Sequence, residues 1–121
     1  MYIFLRFRKK TRTVKKLRYS HHWYIDGTWI YPNGFKQLII ILYRDNETGK
    51  RFPALFALIN NKNESGYNLL FKKIKEIITL FNTKPLNLRS FTCDNEKGLV
   101  NSLNNIYENM CMLLLSLYKK S

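Results

Sequence analysis

One aspartate, Asp26, lies in the middle of the segment 22–30, which is otherwise apolar, aromatic and β-branched. These residue types favour a pleated β-strand. A carboxylate in such a strand is costly to bury alone, so it points either to solvent or to a cation. A second aspartate, Asp94, follows another strand-like segment, 88–93. Two acids on strands indicate a metal site; in the alternative interpretation, Asp26 faces solvent and Asp94 caps a helix.

The hydrophobic periodicity predicts the element order β-β-β-α-β-α. The predicted strands are 22–30, 35–44, 51–60 and 88–93, and the predicted helices are 64–81 and 96–107. Short turns join the first three strands into an antiparallel meander. A strand that follows a crossover helix prefers to return parallel to the same sheet, so the fourth strand is expected beside the first. We therefore predict an α/β protein whose mixed sheet has the order 3-2-1-4, packed with two helices. This layout is that of an RNase H-like fold.

Three local features refine this prediction. The residues 38–42 are apolar on both faces of their strand, which predicts a central strand covered on both sides. Pro53 near the start of the third strand favours an edge position, because proline cannot donate to a ladder. Asn63 or Ser65 is expected to cap the helix 64–81.

The charge of the chain points to a polyanionic partner. Lysine and arginine number 21 against 8 acidic residues, which gives a net charge of +13. Such an excess is typical of proteins that bind nucleic acid or an anionic membrane surface. The apolar run at 110–117 is far shorter than the ~20 residues of a membrane-spanning helix, so no segment is expected to cross a membrane.

Eight cationic residues and no acids lie in the first 20 positions. The segment 1–21 is interpreted either as a solvated basic arm or as a segment that contacts phosphates or directs the protein to the nucleus. Residues 22–107 form the predicted domain, and residues 108–121 form a short apolar and basic tail. The candidate nucleic-acid-binding residues are Arg6, Arg8, Lys9, Lys10, Arg12, Lys15, Lys16 and Arg18.

Other residues have both a structural and a functional interpretation. His21 and His22 precede the first predicted strand and are interpreted either as surface or edge-strand residues or as residues near a bound phosphate. Trp23 and Trp29 are expected in the core rather than as platforms for bases. Cys93 is expected to be a small buried apolar residue. Because no CxxC pair is present, a reduced intracellular setting is favoured.

Several short motifs resemble those of MULE-type (Mutator-like) transposases, in the order and spacing of that family. Tyr24-Ile25-Asp26-Gly27-Thr28-Trp29 resembles the first-acid motif, and Thr92-Cys93-Asp94-Asn95-Glu96 resembles the second-acid motif. Three further pieces are similar to the second strand, the third strand and the lead into the first helix: Phe35-Lys36-Gln37-Leu38, Pro53-Ala54-Leu55-Phe56-Ala57-Leu58 and Asn61-Lys62-Asn63-Glu64-Ser65-Gly66-Tyr67. The resemblance covers residues 22–107.

The resemblance implies a DDE transposase catalytic domain that cleaves and transfers DNA strands in the nucleus. Asp26 and Asp94 are then its first two catalytic metal ligands. The expected cofactor is Mg²⁺ or Mn²⁺, which is held by oxygen ligands and neutralises the repulsion between adjacent carboxylates. Two such ions activate the attacking oxygen and stabilise the leaving one. DNA is the expected partner, and a homo-oligomer is left open.

The chain departs from the family pattern at the third acid, a glutamate on a later helix. Glu96 belongs to the second-acid motif, and Glu108 comes too early. Cys111 is interpreted as the remnant of a cysteine-histidine pair. We therefore expect a truncated copy that is inactive in isolation. The alternatives are a non-catalytic basic nucleic-acid-binding module and a degraded reading frame without a selected function.

Overall fold

One mixed β-sheet with helices packed against it forms the α/β fold, as predicted. The computed structural model describes residues 3–29, 37–60, 63–81, 86–93, 97–106 and 114–115. The strands are β1 (Ile3–Phe7), β2 (His22–Trp29), β3 (Gln37–Arg44), β4 (Arg51–Ile59), β5 (Ser90–Cys93) and β6 (Leu114–Leu115). The helices are α1 (Lys10–Tyr19), α2 (Glu64–Phe81) and α3 (Lys97–Ile106).

The described strands lie in the order β1-β4-β3-β2-β5-β6. β3 pairs antiparallel with both β2 and β4, and β5 runs parallel to β2, so the three pairings predicted between neighbouring strands are confirmed. β1 adds antiparallel to β4, and β6 adds parallel to β5. The strand order of the whole sheet therefore differs from the predicted four-strand order. Of the predicted tail 108–121, only residues 114–115 are described.

Residues 3–19 differ from the prediction of a basic arm, because they form β1 and α1. The α1 side chains Val14 and Leu17 are 1% and 0% exposed and belong to the same hydrophobic core as the sheet. The amide of Arg8 donates to the carbonyl of Ala54 at 3.0 Å, which ties the connection between β1 and α1 to β4. Alternation within 3–7 is too irregular to be recognised as a strand from the sequence, and its pairing with β4 is non-local.

The longest helix, α2, has the predicted bounds. Its buried side chains recur at steps of three and four and face the core. Asn63 caps its start: the side-chain oxygen accepts a hydrogen bond from the Gly66 amide at 3.0 Å. α2 also packs against both α1 and α3. α3 begins and ends one residue inside the predicted segment 96–107.

The two faces of the sheet differ in burial. Ile39 and Ile41 of β3 are 1% and 0% exposed on the face that packs against the helices. Leu38, Ile40 and Leu42 on the other face are only half-buried by the described residues. β3 is central, as predicted, but the described elements do not cover both of its faces equally.

Pro53 led us to predict an edge position for its strand, and that prediction is wrong. β4 lies between β1 and β3. Two features accommodate the proline. The β3–β4 register shifts at Leu42↔Pro53, which leaves Ala54 as an extra residue. The pairing with β1 ends at Leu55, so the missing N–H of Pro53 removes no bond to β1.

We expect Ser102→Ala to stabilise the protein by about 1 kcal/mol. Ser102 is 0% exposed, and its hydroxyl has no hydrogen-bond partner in the described part of the chain. Burial of an unpaired hydroxyl is costly, and alanine also has the higher helix propensity. Urea unfolding of both proteins measures the difference.

Ser90→Ala is the matched control, because the Ser90 hydroxyl contacts His22 Nδ1 at 2.5 Å. This variant should lose about 1 kcal/mol. A loss of stability in Ser102→Ala comparable to that in Ser90→Ala would contradict the assignment of an unpaired hydroxyl.

Candidate functional site

Asp26 lies on β2, on the face of the sheet opposite the helices. Its neighbour Ile25 points into the core and is 4% exposed, and strand alternation directs Asp26 to the other side. The carboxylate is partly exposed beside a cavity of about 140 Å³. This cavity is lined by Tyr24, Ile25, Asp26, Leu42, Arg51, Thr92 and Cys93. The aspartate is therefore accessible from solvent without leaving its strand.

A cationic side chain shares this cavity with Asp26. The guanidinium of Arg51 lies over the Tyr24 ring, 4.2 Å from its centroid. Stacking on an aromatic ring holds a guanidinium in place while its N–H groups stay free to reach an anion. Arg51 was not singled out by sequence analysis, because its contact with Tyr24 depends on the position of β4 two strands away from β2.

The register of β2 and β5 brings the two predicted acidic motifs together in the sheet. The parallel pair runs from His22↔Ser90 to Ile25↔Cys93. Ile25 and Cys93 directly precede Asp26 and Asp94 in the sequence. Asp94 itself lies outside the described residues. The described structure thus aligns the strands that carry the two acids and gives no separation between their carboxylates.

A divalent cation would find only part of its ligand set among the described residues. They contain no group of three or more histidine, cysteine, aspartate or glutamate side chains that could hold a metal. The cavity beside Asp26 offers one carboxylate and the hydroxyl of Thr92. Mg²⁺ is commonly held by one or two carboxylates together with water and phosphate oxygens. Asp26 therefore fits as one ligand, and the described residues alone do not complete a site.

His22 forms a polar cluster that sequence analysis missed. Its Nδ1 lies 2.5 Å from the Ser90 hydroxyl, and its Nε2 lies 2.6 Å from the Thr92 hydroxyl. The ring also contacts Tyr24 edge-on, with centroids 4.7 Å apart. His22 was predicted at the surface, on an edge strand or near a phosphate; instead it is 4% exposed on a strand between β3 and β5, and it links β2 to β5. The only sequence signal is the alternation of polar residues along both strands.

The environment of His22 keeps its imidazole neutral. Desolvation by burial, followed by the nearby charges of Arg44 and Arg51, lowers the His22 pKa from 6.5 to about 4. A neutral imidazole has one N–H donor and one acceptor nitrogen, and each can be satisfied by a hydroxyl group. The cluster therefore supports the strands beside Asp26 at neutral pH.

Seven of the eight predicted nucleic-acid-binding residues lie on the surface. Arg6 belongs to β1, and the other six begin in the turn before α1 and continue along that helix. The exposed seven are Arg6, Arg8, Lys9, Lys10, Arg12, Lys15 and Lys16.

Arg18 is the exception and requires a correction. It is only 3% exposed, and its guanidinium lies over the Tyr19 ring at 4.4 Å. Its Nε has no hydrogen-bond partner among the described residues. A buried guanidinium cannot reach the phosphates of a long nucleic acid, so Arg18 supports the packing of α1 instead.

Two of the remaining expectations are confirmed. Trp23 is 0% exposed in the core, and Cys93 is 4% exposed. The side chain of Trp29 lies outside the described residues. Within the described part of the chain, no helix combines the length and apolar character needed to span a membrane.

Comparisons of this chain with models of known protein families, with curated proteins and with solved structures give no match.

We expect acid to destabilise the protein through His22. His22 binds a proton near pH 6.5 in the unfolded chain but only near pH 4 in the folded chain. The stabilisation that comes from neutral, buried His22 is therefore complete above pH 6.5 and is lost as the pH falls to 4. Between pH 7 and pH 5 this linkage corresponds to a loss of about 2 kcal/mol. Urea unfolding at both pH values measures the loss.

His22→Asn should be less stable at pH 7 but should show a smaller loss between pH 7 and pH 5. His21→Gln is the control, since His21 is partly exposed and should leave most of the wild-type pH dependence. Equal pH dependence in the wild type and in His22→Asn would contradict the assignment of this transition to His22.

Proposed function

We propose that this chain is part of an RNase H-like DDE transposase domain of the MULE type. The observation that carries the proposal is the parallel register that pairs Ile25 with Cys93. Each of these residues directly precedes one of the two aspartates in the motifs that resemble the family. The antiparallel strands β2, β3 and β4, followed by α2 and the parallel strand β5, support the same proposal.

In this proposal, Asp26 and Asp94 bind Mg²⁺ or Mn²⁺, and the metal supplies activation of the oxygen nucleophile and stabilisation of the leaving oxygen. The chain's own residues position these ligands. β2 presents Asp26 on the face of the sheet opposite the helices, which we call the open face, and the His22 cluster fixes β2 against β5. Arg51, held on Tyr24, provides a positive charge for a phosphate near Asp26.

The proposed partner is DNA and the proposed location is the nucleus.

The third acidic ligand of the family has no counterpart in the motifs described above, so we propose that the isolated chain binds its substrate and its metal without completing strand transfer.

A second candidate function is favoured by the surface charge. Exposed cations lie on β1, on α1 and on the turn between them, in a segment without acidic residues. Such a surface binds the phosphates of nucleic acid irrespective of Asp26. The second candidate is therefore a non-catalytic nucleic-acid-binding module.

Mn²⁺ binding tests the first proposal. The wild-type chain should bind Mn²⁺ in electron paramagnetic resonance titrations, and Asp26→Asn should weaken binding about 10-fold or more, since even residues that only support metal ligands contribute that much. Asp94→Asn should have a similar effect. Glu76→Gln, a substitution at an exposed position of α2, is the control and should bind as the wild type does.

Mn²⁺ binding that is equal in Asp26→Asn, Asp94→Asn and the wild type would overturn the first proposal. DNA binding that depends on salt, survives Asp26→Asn and ignores Mg²⁺ would instead support the second candidate.

A further inference from the structure

A groove lies between α1 and the turn that joins β3 to β4. It consists of two adjoining cavities of about 480 and 300 Å³, which have Arg12, Lys16, Tyr43 and Asp45 in common. We refer to these two cavities together as the α1 groove. Asp26 lines neither cavity, so the α1 groove is separate from the site on the open face of the sheet.

The lining of the α1 groove is strongly cationic. Two acidic side chains, Asp45 and Glu47, line it, and the Thr48 hydroxyl donates a hydrogen bond to the Asp45 carboxylate at 2.8 Å. The cationic side chains that line the groove outnumber these two acids; they are Arg8, Lys9, Arg12, Lys15, Lys16 and Arg44. α1 also has no acidic residue in its first turn, so the positive end of its dipole adds to this charge. The groove therefore attracts anions.

Aromatic rings lie among these cations. Tyr43 and Phe52 are paired across β3 and β4, with ring centroids 5.6 Å apart and planes inclined by 31°. Phe52 is 40% exposed, and Tyr19 at the other end of the groove is 43% exposed. The Tyr43 hydroxyl is a hydrogen-bond donor at neutral pH, and burial raises its pKa further. Exposed aromatic rings between cations are typical of surfaces on which nucleobases stack.

The fold holds these side chains on fixed elements. Burial of Val14 and Leu17 directs Arg12, Lys15 and Lys16 of α1 away from the core. At the start of the helix, the Thr13 hydroxyl donates to the carbonyl of Arg8. On the opposite wall, the antiparallel pairing of β3 with β4 positions Tyr43 and Phe52. The α1 groove is thus built before any ligand binds.

We propose that the α1 groove binds single-stranded nucleic acid, with phosphates at the cations of α1 and a base stacked on Phe52. A single strand is favoured over a duplex because only an unpaired base can leave its neighbours and stack on a protein ring. The inference rests on the second candidate function, nucleic-acid binding, and specifies its ligand and its surface. It does not depend on metal binding at Asp26.

Fluorescence anisotropy with a labelled oligothymidylate of 12 nucleotides tests this inference on the full chain. Phe52→Leu should weaken binding about 10-fold, because loss of stacking on one ring removes about that much affinity. Phe52→Trp should restore it. The double variant Arg12→Gln/Lys16→Gln should weaken binding at low salt and reduce the slope of log K against log salt by about 1.4, which corresponds to two phosphate contacts on a single strand.

The matched control is Lys72→Gln/Lys73→Gln, which removes the same charge from the exposed face of α2. It should change affinity less than twofold, and circular dichroism should show that all variants are folded. Equal loss of affinity in the two double variants would overturn the assignment of binding to the α1 groove, but it would not overturn nucleic-acid binding itself. Three other results would also overturn the proposal for the α1 groove. They are unchanged binding in Phe52→Leu, tighter binding of a duplex of equal length, and binding only to anionic vesicles. Absence of oligonucleotide binding by the wild type would overturn both this inference and the second candidate function.

Discussion

The packing of Trp23 holds together the elements on which both candidate sites depend. Its side chain is 0% exposed, its indole N–H donates to the carbonyl of Leu17 at 3.1 Å, and its ring meets Phe91 edge-on at 6.1 Å. These contacts join α1 to β2 and β2 to β5. A buried tryptophan of this kind contributes about 3–5 kcal/mol on truncation to alanine. The cations of α1 and the strands beside Asp26 are therefore positioned from the same point in the core.

The alternation of β2 explains how an acidic residue lies in such an apolar strand. Trp23 and Ile25 point to the helices, whereas His22, Tyr24 and Asp26 point to the open face. Because the two faces of β2 are independent, the face toward the helices is buried while the open face carries polar groups. The same alternation in β5 places Thr92 beside Tyr24 and leaves Cys93 in the core. The chemistry proposed at Asp26 is thus supported by a strand whose other face buries Trp23 and Ile25 in the core.

Predictions from the sequence succeeded where the signal is local. The bounds of α2 follow from apolar residues repeated at steps of three and four, and the pairing of β2, β3 and β4 was predicted from the turn signals in the sequence between them. β1 was missed because its alternation is irregular and its pairing with β4 is not local. α1 was missed because charge dominates its sequence and the contacts of Val14 and Leu17 with the sheet are not local. The position of Asp26 on its strand was predictable. The His22 cluster was not, because its partners Ser90 and Thr92 are brought close only by the return of the chain after α2.

The composition of α1 is unfavourable for an isolated helix, and this is the strongest reason to assign it a function. Arg12 and Lys16 are four positions apart on one face, where like charges repel, and cations in the first turn oppose the helix dipole. Lys9, before the helix, adopts a left-handed conformation with φ of 47° that favours glycine. Burial of Val14 and Leu17 offsets these costs in the free protein. A bound polyanion would reduce this repulsion, since α1 itself contains no acidic residue and each phosphate would compensate a cation.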